Sequence, residues 1–204
     1  MLKLRLISFL IFVMTMGITP IANAQILPGD SVTLTETISV ETANAFLDNC
    51  LSDFPHGFTP KSHKNFCNCS AANVRLNLTN SDLVALNLPN AQRAGNPVFE
   101  KYVHNVVGPC MAVAVDDIGY YSCIESRAQS PYIKNILPYC KCVGAQMSRF
   151  AEEIGAETIL TNMKRNPTFY DDPIQTLLGA SIYTNTLNRS HDICRPIGQQ
   201  QIAR

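Results

Sequence analysis

Two Cys-x-Cys motifs are the residues of this chain best suited to chemistry: Cys67 and Cys69 form the first, and Cys140 and Cys142 form the second. Thiolates at this spacing are soft ligands that suit Cu(I) or Zn(II). In an exported protein, which meets an oxidising environment, cysteines form disulfides instead. The motifs therefore raise three hypotheses: a metal site, thiol redox chemistry and a disulfide framework.

Nearby histidines extend the metal hypothesis. His63 precedes Cys67 by four residues and His191 precedes Cys194 by three, so a mixed Cys/His ligand set can be drawn. The chain has no Cys-x-x-Cys pair, however, and the 17-residue spacing from Cys50 to Cys67 matches no zinc signature. Without Cys-x-x-Cys a thioredoxin-like redox site has no support either. We therefore predict structural disulfides, with no metal and no cofactor bound.

No catalytic motif accompanies the cysteines. The sequence contains no Gly-x-Ser-x-Gly nucleophile turn, no His-Glu-x-x-His zinc motif and no glycine-rich phosphate loop. We predict no catalytic residue, and an enzyme whose site is assembled from scattered residues stays an alternative. The four histidines are predicted to be surface side chains: His56, His63, His104 and His191.

The N-terminal segment, 1–24, has the pattern of a secretory signal peptide. Lys3 and Arg5 precede an apolar run of about a dozen residues, and Ala22-Asn23-Ala24 forms an A-x-A cleavage site. The run is shorter than the ~20 apolar residues that span a bilayer, so we expect cleavage and no stable membrane anchor. The mature chain would begin at Gln25 and be periplasmic or secreted.

The charge of the chain gives no reason to expect nucleic acid as a partner. Removing residues 1–24 removes two basic residues and no acidic ones, which leaves 14 basic and 16 acidic side chains and a formal charge of −2. A nearly neutral chain without a basic run has no electrostatic attraction to nucleic acid or to an anionic membrane surface. The remaining chain, 25–204, has the length of one domain or of two small ones.

The cysteine spacing occurs twice, which predicts an internal duplication. The 17-residue spacing from Cys50 to Cys67 recurs between Cys123 and Cys140. Asn-Pro-x-Phe follows each motif, at 96–99 and 166–169, and one more cysteine closes each copy. The predicted organisation is a signal peptide (1–24), a leader (25–38), helical repeat 1 (39–112), helical repeat 2 (113–195) and a flexible tail (196–204).

Each predicted repeat contains four cysteines and can therefore close two disulfides of its own. Joining the two cysteines of one Cys-x-Cys makes a small strained ring, so two pairings remain for each repeat. In repeat 1 these are Cys50–Cys67 with Cys69–Cys110, or Cys50–Cys69 with Cys67–Cys110. Repeat 2 offers the same choice among Cys123, Cys140, Cys142 and Cys194.

Hydrophobic periodicity predicts a mostly α fold made of two tandem disulfide-stapled helical repeats. Ser39, Thr59 and Thr79 are each placed to cap the start of a helix. The helix that begins within the first Asn-Pro-x-Phe, at residue 97, is expected to end at Gly108-Pro109. Helical residues two apart point in well-separated directions, so each Cys-x-Cys can bond to two different neighbours.

We interpret the chain as an exported module that binds a protein or other ligand, because duplicated helical units often form concave surfaces. Tyr120, Tyr121 and Tyr132 cluster where repeat 2 begins, and tyrosine is enriched at interfaces. The expected class of partner is another protein. The alternatives are a periplasmic metal-handling protein that uses Cys-x-Cys thiolates, and an enzyme without a recognisable motif.

Overall fold

The computed structural model describes residues 37–55, 57–127, 130–166 and 172–199, so the predicted signal peptide and most of the leader lie outside the described part. Within these ranges the chain is helical, and the β-structure is limited to an isolated bridge between Thr37 and Thr79. The α-helices are α1 (Val40–Ser52), α2 (Pro60–Asn77), α3 (Asn80–Leu86), α4 (Pro97–Tyr102), α5 (Gly108–Arg127), α6 (Ile136–Arg165), α7 (Pro173–Leu178) and α8 (Ser181–Gln199). The mostly α prediction is confirmed.

Side-chain caps fix the starts of α1, α2 and α3, as predicted. The Ser39 hydroxyl accepts a backbone N–H of the first turn of α1 at 3.1 Å. Thr59 with Ser62, and Thr79 with Asp82, form reciprocal capping boxes at the starts of α2 and α3. Each such cap satisfies backbone donors that a helix start leaves unpaired and contributes about 1 kcal/mol.

The helix predicted to end at Gly108-Pro109 continues through these residues, so that prediction is wrong. A π-helical turn, Val103–Val107, joins α4 to α5, and the Gly108 N–H donates to the Val103 carbonyl five residues back. Pro109, which lacks an N–H, follows this turn, and the Asn105 carbonyl four residues before it accepts the Asn77 side-chain amide at 3.2 Å instead. A Cβ on Gly108 would lie 3.2 Å from the Ala156 Cβ, so glycine also permits the close approach of α6.

Helix α5 crosses the boundary between the two predicted repeats, with Cys110 near its start and Cys123 near its end. It packs along α6 more extensively than any other described pair of helices packs. The main hydrophobic core includes Phe66 and Phe99 from repeat 1 and Met147 from repeat 2. The main core thus draws on both predicted repeats, two smaller hydrophobic clusters accompany it, and the described residues belong to one compact unit. The duplication stays a prediction.

Part of the tail predicted to be flexible, 196–204, is helical, because α8 runs to Gln199. Gly198 is buried, and its carbonyl accepts the N–H groups of Lys134 at 2.8 Å and Asn135 at 3.1 Å. These bonds tie the end of α8 to the loop that precedes α6. The rest of the tail lies outside the described residues.

Candidate functional site

All eight cysteines are described, and all of them form disulfides: Cys50–Cys67, Cys69–Cys110, Cys123–Cys140 and Cys142–Cys194. Both halves use the same one of the two pairings that the sequence left open. The Cα–Cα distances lie between 5.4 and 5.8 Å, within the ordinary range for disulfides. Metal binding by Cys-x-Cys thiolates would therefore require that a disulfide first be reduced.

The two cysteines of each motif reach different helices, as predicted. On α2, Cys67 bonds back to α1 and Cys69 bonds forward to the start of α5. On α6, Cys140 bonds to the end of α5 and Cys142 bonds to α8. The end of α5, the start of α6 and the second half of α8 are consequently held together by covalent bonds.

A cavity of about 470 Å³ lies where these three helices meet. We call it the arginine pocket, and its lining residues are Arg127, Ser130, Tyr132, Ile133, Tyr139, Asn188, His191, Asp192, Arg195 and Gln199. Arg127 is the last residue of α5, and Tyr139 lies in the first turn of α6. His191 and Arg195 are four residues apart on α8 and so share one helical face.

A hydrogen bond and a ring stack join Tyr139 to His191 inside the arginine pocket. The Tyr139 hydroxyl and His191 Nδ1 lie 2.8 Å apart, and the rings stack with centroids separated by 5.8 Å. Burial, aided by the nearby Arg127 charge and opposed by Asp192, lowers the pKa of His191 below its ordinary 6.5. Burial also raises the pKa of Tyr139. At neutral pH both rings are therefore uncharged and can offer hydrogen bonds.

The charge of the arginine pocket comes from its two arginines. Arg195 forms an ion pair with Asp192 one turn before it on α8. Arg127 forms no ion pair with any residue in the described part of the chain. One positive charge therefore remains unbalanced at the mouth of the pocket, in a fork geometry that matches a carboxylate. No serine or cysteine is bonded to His191 among the described residues, so the pair does not resemble an activated nucleophile.

A second, smaller cavity of about 200 Å³ lies beside the Cys50–Cys67 disulfide of predicted repeat 1. We call it the His63 pocket. His63 is buried, with 4% of its surface exposed, so the prediction of a surface side chain is wrong for this histidine. Its Nε2–H donates to the Cys50 carbonyl at 3.0 Å, and Nε2 lies 3.3 Å from Cys67 Sγ. Across the pocket, burial and the nearby Asp172 carboxylate raise the pKa of Tyr102 to about 12.

Of the remaining predicted residues, Tyr132 alone among those the structure describes lines one of these two cavities. His104 is partly exposed, as predicted, and its Nε2 lies 3.6 Å from Glu157 Oε1. His56 lies outside the described residues. Tyr120 and Tyr121 contact each other edge to face, with centroids 5.1 Å apart. Of the clustered tyrosines, Tyr132 lines the arginine pocket, with 79% of its surface exposed.

Sequence reasoning missed the arginine pocket. One signal was available: the spacing of four between His191 and Arg195 places both on one face of a helix. Arg127 and Tyr139 gave no comparable signal, because they come close to α8 and to each other only through the way the cysteines pair.

None of the described helices combines the length and the apolar character needed to cross a bilayer. Comparison of the chain with protein-family models, with curated proteins and with solved structures found no match.

Proposed function

We propose that this chain is an exported, disulfide-rich helical protein that binds a carboxylate-bearing ligand in the arginine pocket. Export is supported by the signal-peptide pattern of residues 1–24 and by the four disulfides, which form in oxidising compartments. The binding role is supported by the geometry of the pocket, which has the size of an ordinary small-molecule site.

The observation that carries the proposal is the convergence of unbalanced positive charge with neutral hydrogen-bonding groups. Arg127 offers a guanidinium that no described carboxylate occupies, and the Tyr139–His191 pair faces the same cavity. A carboxylate bound to Arg127 would find a second polar contact in that pair. An arginine beside tyrosines is the combination that dominates binding energy at many protein interfaces.

The lining also indicates what the rest of the ligand is like. Tyr132 is exposed at the rim and Ile133 contributes apolar surface, so an aromatic or aliphatic body next to the carboxylate would be partly covered. A free aromatic acid and an acidic peptide both have this chemistry. The pocket is open to solvent, so we expect modest affinity for a single carboxylate.

The test is calorimetric titration of the oxidised mature chain with benzoate, acetate and a short peptide that ends in Phe-Glu. We expect benzoate or the peptide to bind more tightly than acetate, because acetate has nothing to place against Tyr132. Arg127→Gln should weaken binding by about fivefold, the effect of roughly 1 kcal/mol at an exposed charged contact.

The matched control is Arg149→Gln, which removes the same charge from an exposed position of α6 that does not line the pocket. It should leave binding unchanged. Equal weakening by both substitutions would mean that only net charge matters. Failure of all three probes to bind the parent chain would refute the proposal. Tighter binding of the peptide than of benzoate would identify a protein partner as the source of the carboxylate.

A further inference from the structure

The Cys50–Cys67 disulfide has a buried imidazole beside it, and this arrangement is independent of the arginine pocket. We propose that reducing this disulfide turns Cys50, Cys67 and His63 into a site for a divalent zinc ion. The ligand atoms of these three residues all lie within 4.8 Å of one another. Two thiolates and one imidazole leave a fourth position open, a ligand set that zinc takes in proteins.

The backbone already places the three side chains for this role. His63 and Cys67 are one helical turn apart on α2 and share a face, and Cys50 faces them from α1. Cys67 has no exposed surface. The Phe54 and Phe58 rings meet the His63 ring in T-shaped geometry, at centroid distances of 4.9 and 6.0 Å, and limit its rotation.

The movement required to bind the ion is small. Tetrahedral zinc holds two thiolates about 3.8 Å apart and a thiolate and an imidazole nitrogen about 3.5 Å apart, given bonds of ~2.3 and ~2.0 Å. His63 Nε2 and Cys67 Sγ are already 3.3 Å apart. The two sulfurs, bonded at 2.07 Å, must separate by about 1.7 Å, which side-chain rotation supplies once the bond is broken.

The His63 pocket provides both access and the fourth ligand. Cys50, His63 and Asp53 all line this cavity of about 200 Å³. A water molecule in the cavity can complete the tetrahedron. The same opening admits a small dithiol to the Cys50 side of the bond, because Cys50 is only partly buried.

The chemistry balances when a dithiol is the reductant. The dithiol gives two electrons and two protons and becomes a cyclic disulfide, while the Cys50–Cys67 bond becomes two thiols. Zinc then binds the two thiolates and releases two protons to solvent. His63 coordinates through Nε2, so its proton first moves from Nε2 to Nδ1 by exchange with solvent, and the hydrogen bond from Nε2–H to the Cys50 carbonyl is given up.

The second half of the chain contains a matched pair that lacks the imidazole. Cys123 and Cys140 have the same separation of 17 residues, with a Cα–Cα distance of 5.4 Å against 5.7 Å for the first pair. Four residues before Cys140, where Cys67 has His63, the chain has Ile136. The proposal therefore predicts that zinc distinguishes the two pairs.

The experiment uses the full mature chain, treated with dithiothreitol, freed of excess reductant and incubated with or without Zn²⁺. Alkylation at each cysteine is then followed by peptide mapping. Zinc should slow alkylation of Cys50 and Cys67 by about tenfold or more, the scale of effect that metal-site contacts have on affinity. Zinc should leave the alkylation rates of Cys123 and Cys140 unchanged. Co²⁺ in place of Zn²⁺ should give thiolate-to-metal charge-transfer absorption.

Two variants separate ligation from packing. His63→Ile gives the first pair the surroundings of the second and should abolish its protection. Ile136→His should confer protection on Cys123 and Cys140. Equal protection of both pairs in the parent chain would show that zinc binds any reduced pair and would overturn the proposal. So would the absence of protection at Cys50 and Cys67, including the case in which the reduced chain does not hold its fold.

Discussion

Replacing Gly144 by alanine tests how α5 and α6 cross. A Cβ built on Gly144 would lie 2.7 Å from the carbonyl oxygen of Asp116 and 2.6 Å from its Oδ1. The carboxylate can rotate away, but the carbonyl oxygen belongs to the backbone of α5 and cannot. Gly119, on α5 at the same crossing, would place a Cβ 3.1 Å from the Met147 side chain. The two glycines thus let these helices approach more closely than side chains would permit.

The magnitude follows from two opposing effects. In an unobstructed helix, alanine is more favourable than glycine by about 1 kcal/mol. At Gly144 the helices must instead move apart, because the new Cβ would lie 2.7 Å from the Asp116 carbonyl oxygen and Cβ atoms essentially never approach closer than 3.0 Å. Overpacking of this kind costs about 1–3 kcal/mol, so after the gain from alanine we expect a net loss of up to about 2 kcal/mol.

Gly155→Ala is the matched control on the same helix. A Cβ there would lie 3.7 Å from the Ala151 Cβ and 3.9 Å from Leu177 Cδ2, both ordinary contacts. It should therefore increase the free energy of unfolding, by up to about 1 kcal/mol. Denaturant unfolding of the oxidised proteins measures both changes. If Gly144→Ala were as stable as Gly155→Ala, the close crossing of α5 and α6 would be refuted.

Three further results are expected. Cys142→Ser should lower the free energy of unfolding by about 4 kcal/mol, given the 52-residue loop that its bond to Cys194 closes, and an unchanged melting temperature would contradict the structural role of this disulfide. Burial opposes ionisation of Asp82, but hydrogen bonds from Lys101 and from the helix cap prevail and lower its pKa below 3.8. The stability it adds is complete above pH 3.8 and is lost as the pH falls through the lowered value, so Asp82→Asn should make acid unfolding, followed by circular dichroism, less steep. A bound carboxylate should raise the depressed pKa of His191, so benzoate should bind more tightly at pH 5.5 than at pH 8, and titrations of His191→Gln should lose that dependence.

Local features of the fold were accessible from the sequence because they depend on neighbouring residues. The caps at Ser39, Thr59 and Thr79 follow from side chains that bond to backbone groups within three residues. The helix end predicted at Gly108-Pro109 was wrong because the structure there depends on residues distant in sequence. A π-helical turn continues the helix through these two residues. Gly108 permits the close approach of Ala156 on α6, which is far away in sequence.

The sites depended on information that one sequence does not contain. Spacing restricted each set of four cysteines to two pairings, but the choice between them is decided by which helices pack together. Tyr139 and His191 are 52 residues apart, and their contact exists because neighbouring cysteines bond α6 to α8. His63 was predicted to be exposed because its neighbours in sequence are polar, whereas Phe54 and Phe58 cover it in space.

The order of the disulfides has a consequence for proteolysis. The four bonds link α1 to α2, α2 to α5, α5 to α6 and α6 to α8. The chain between any two linked helices therefore lies inside the loop that one disulfide closes. A protease that cuts the chain once between any two linked helices leaves both fragments joined by a disulfide. On an electrophoresis gel the nicked protein should migrate as one species without reductant and as two fragments with it. A protein built in this way can lose a peptide bond and still keep its parts together.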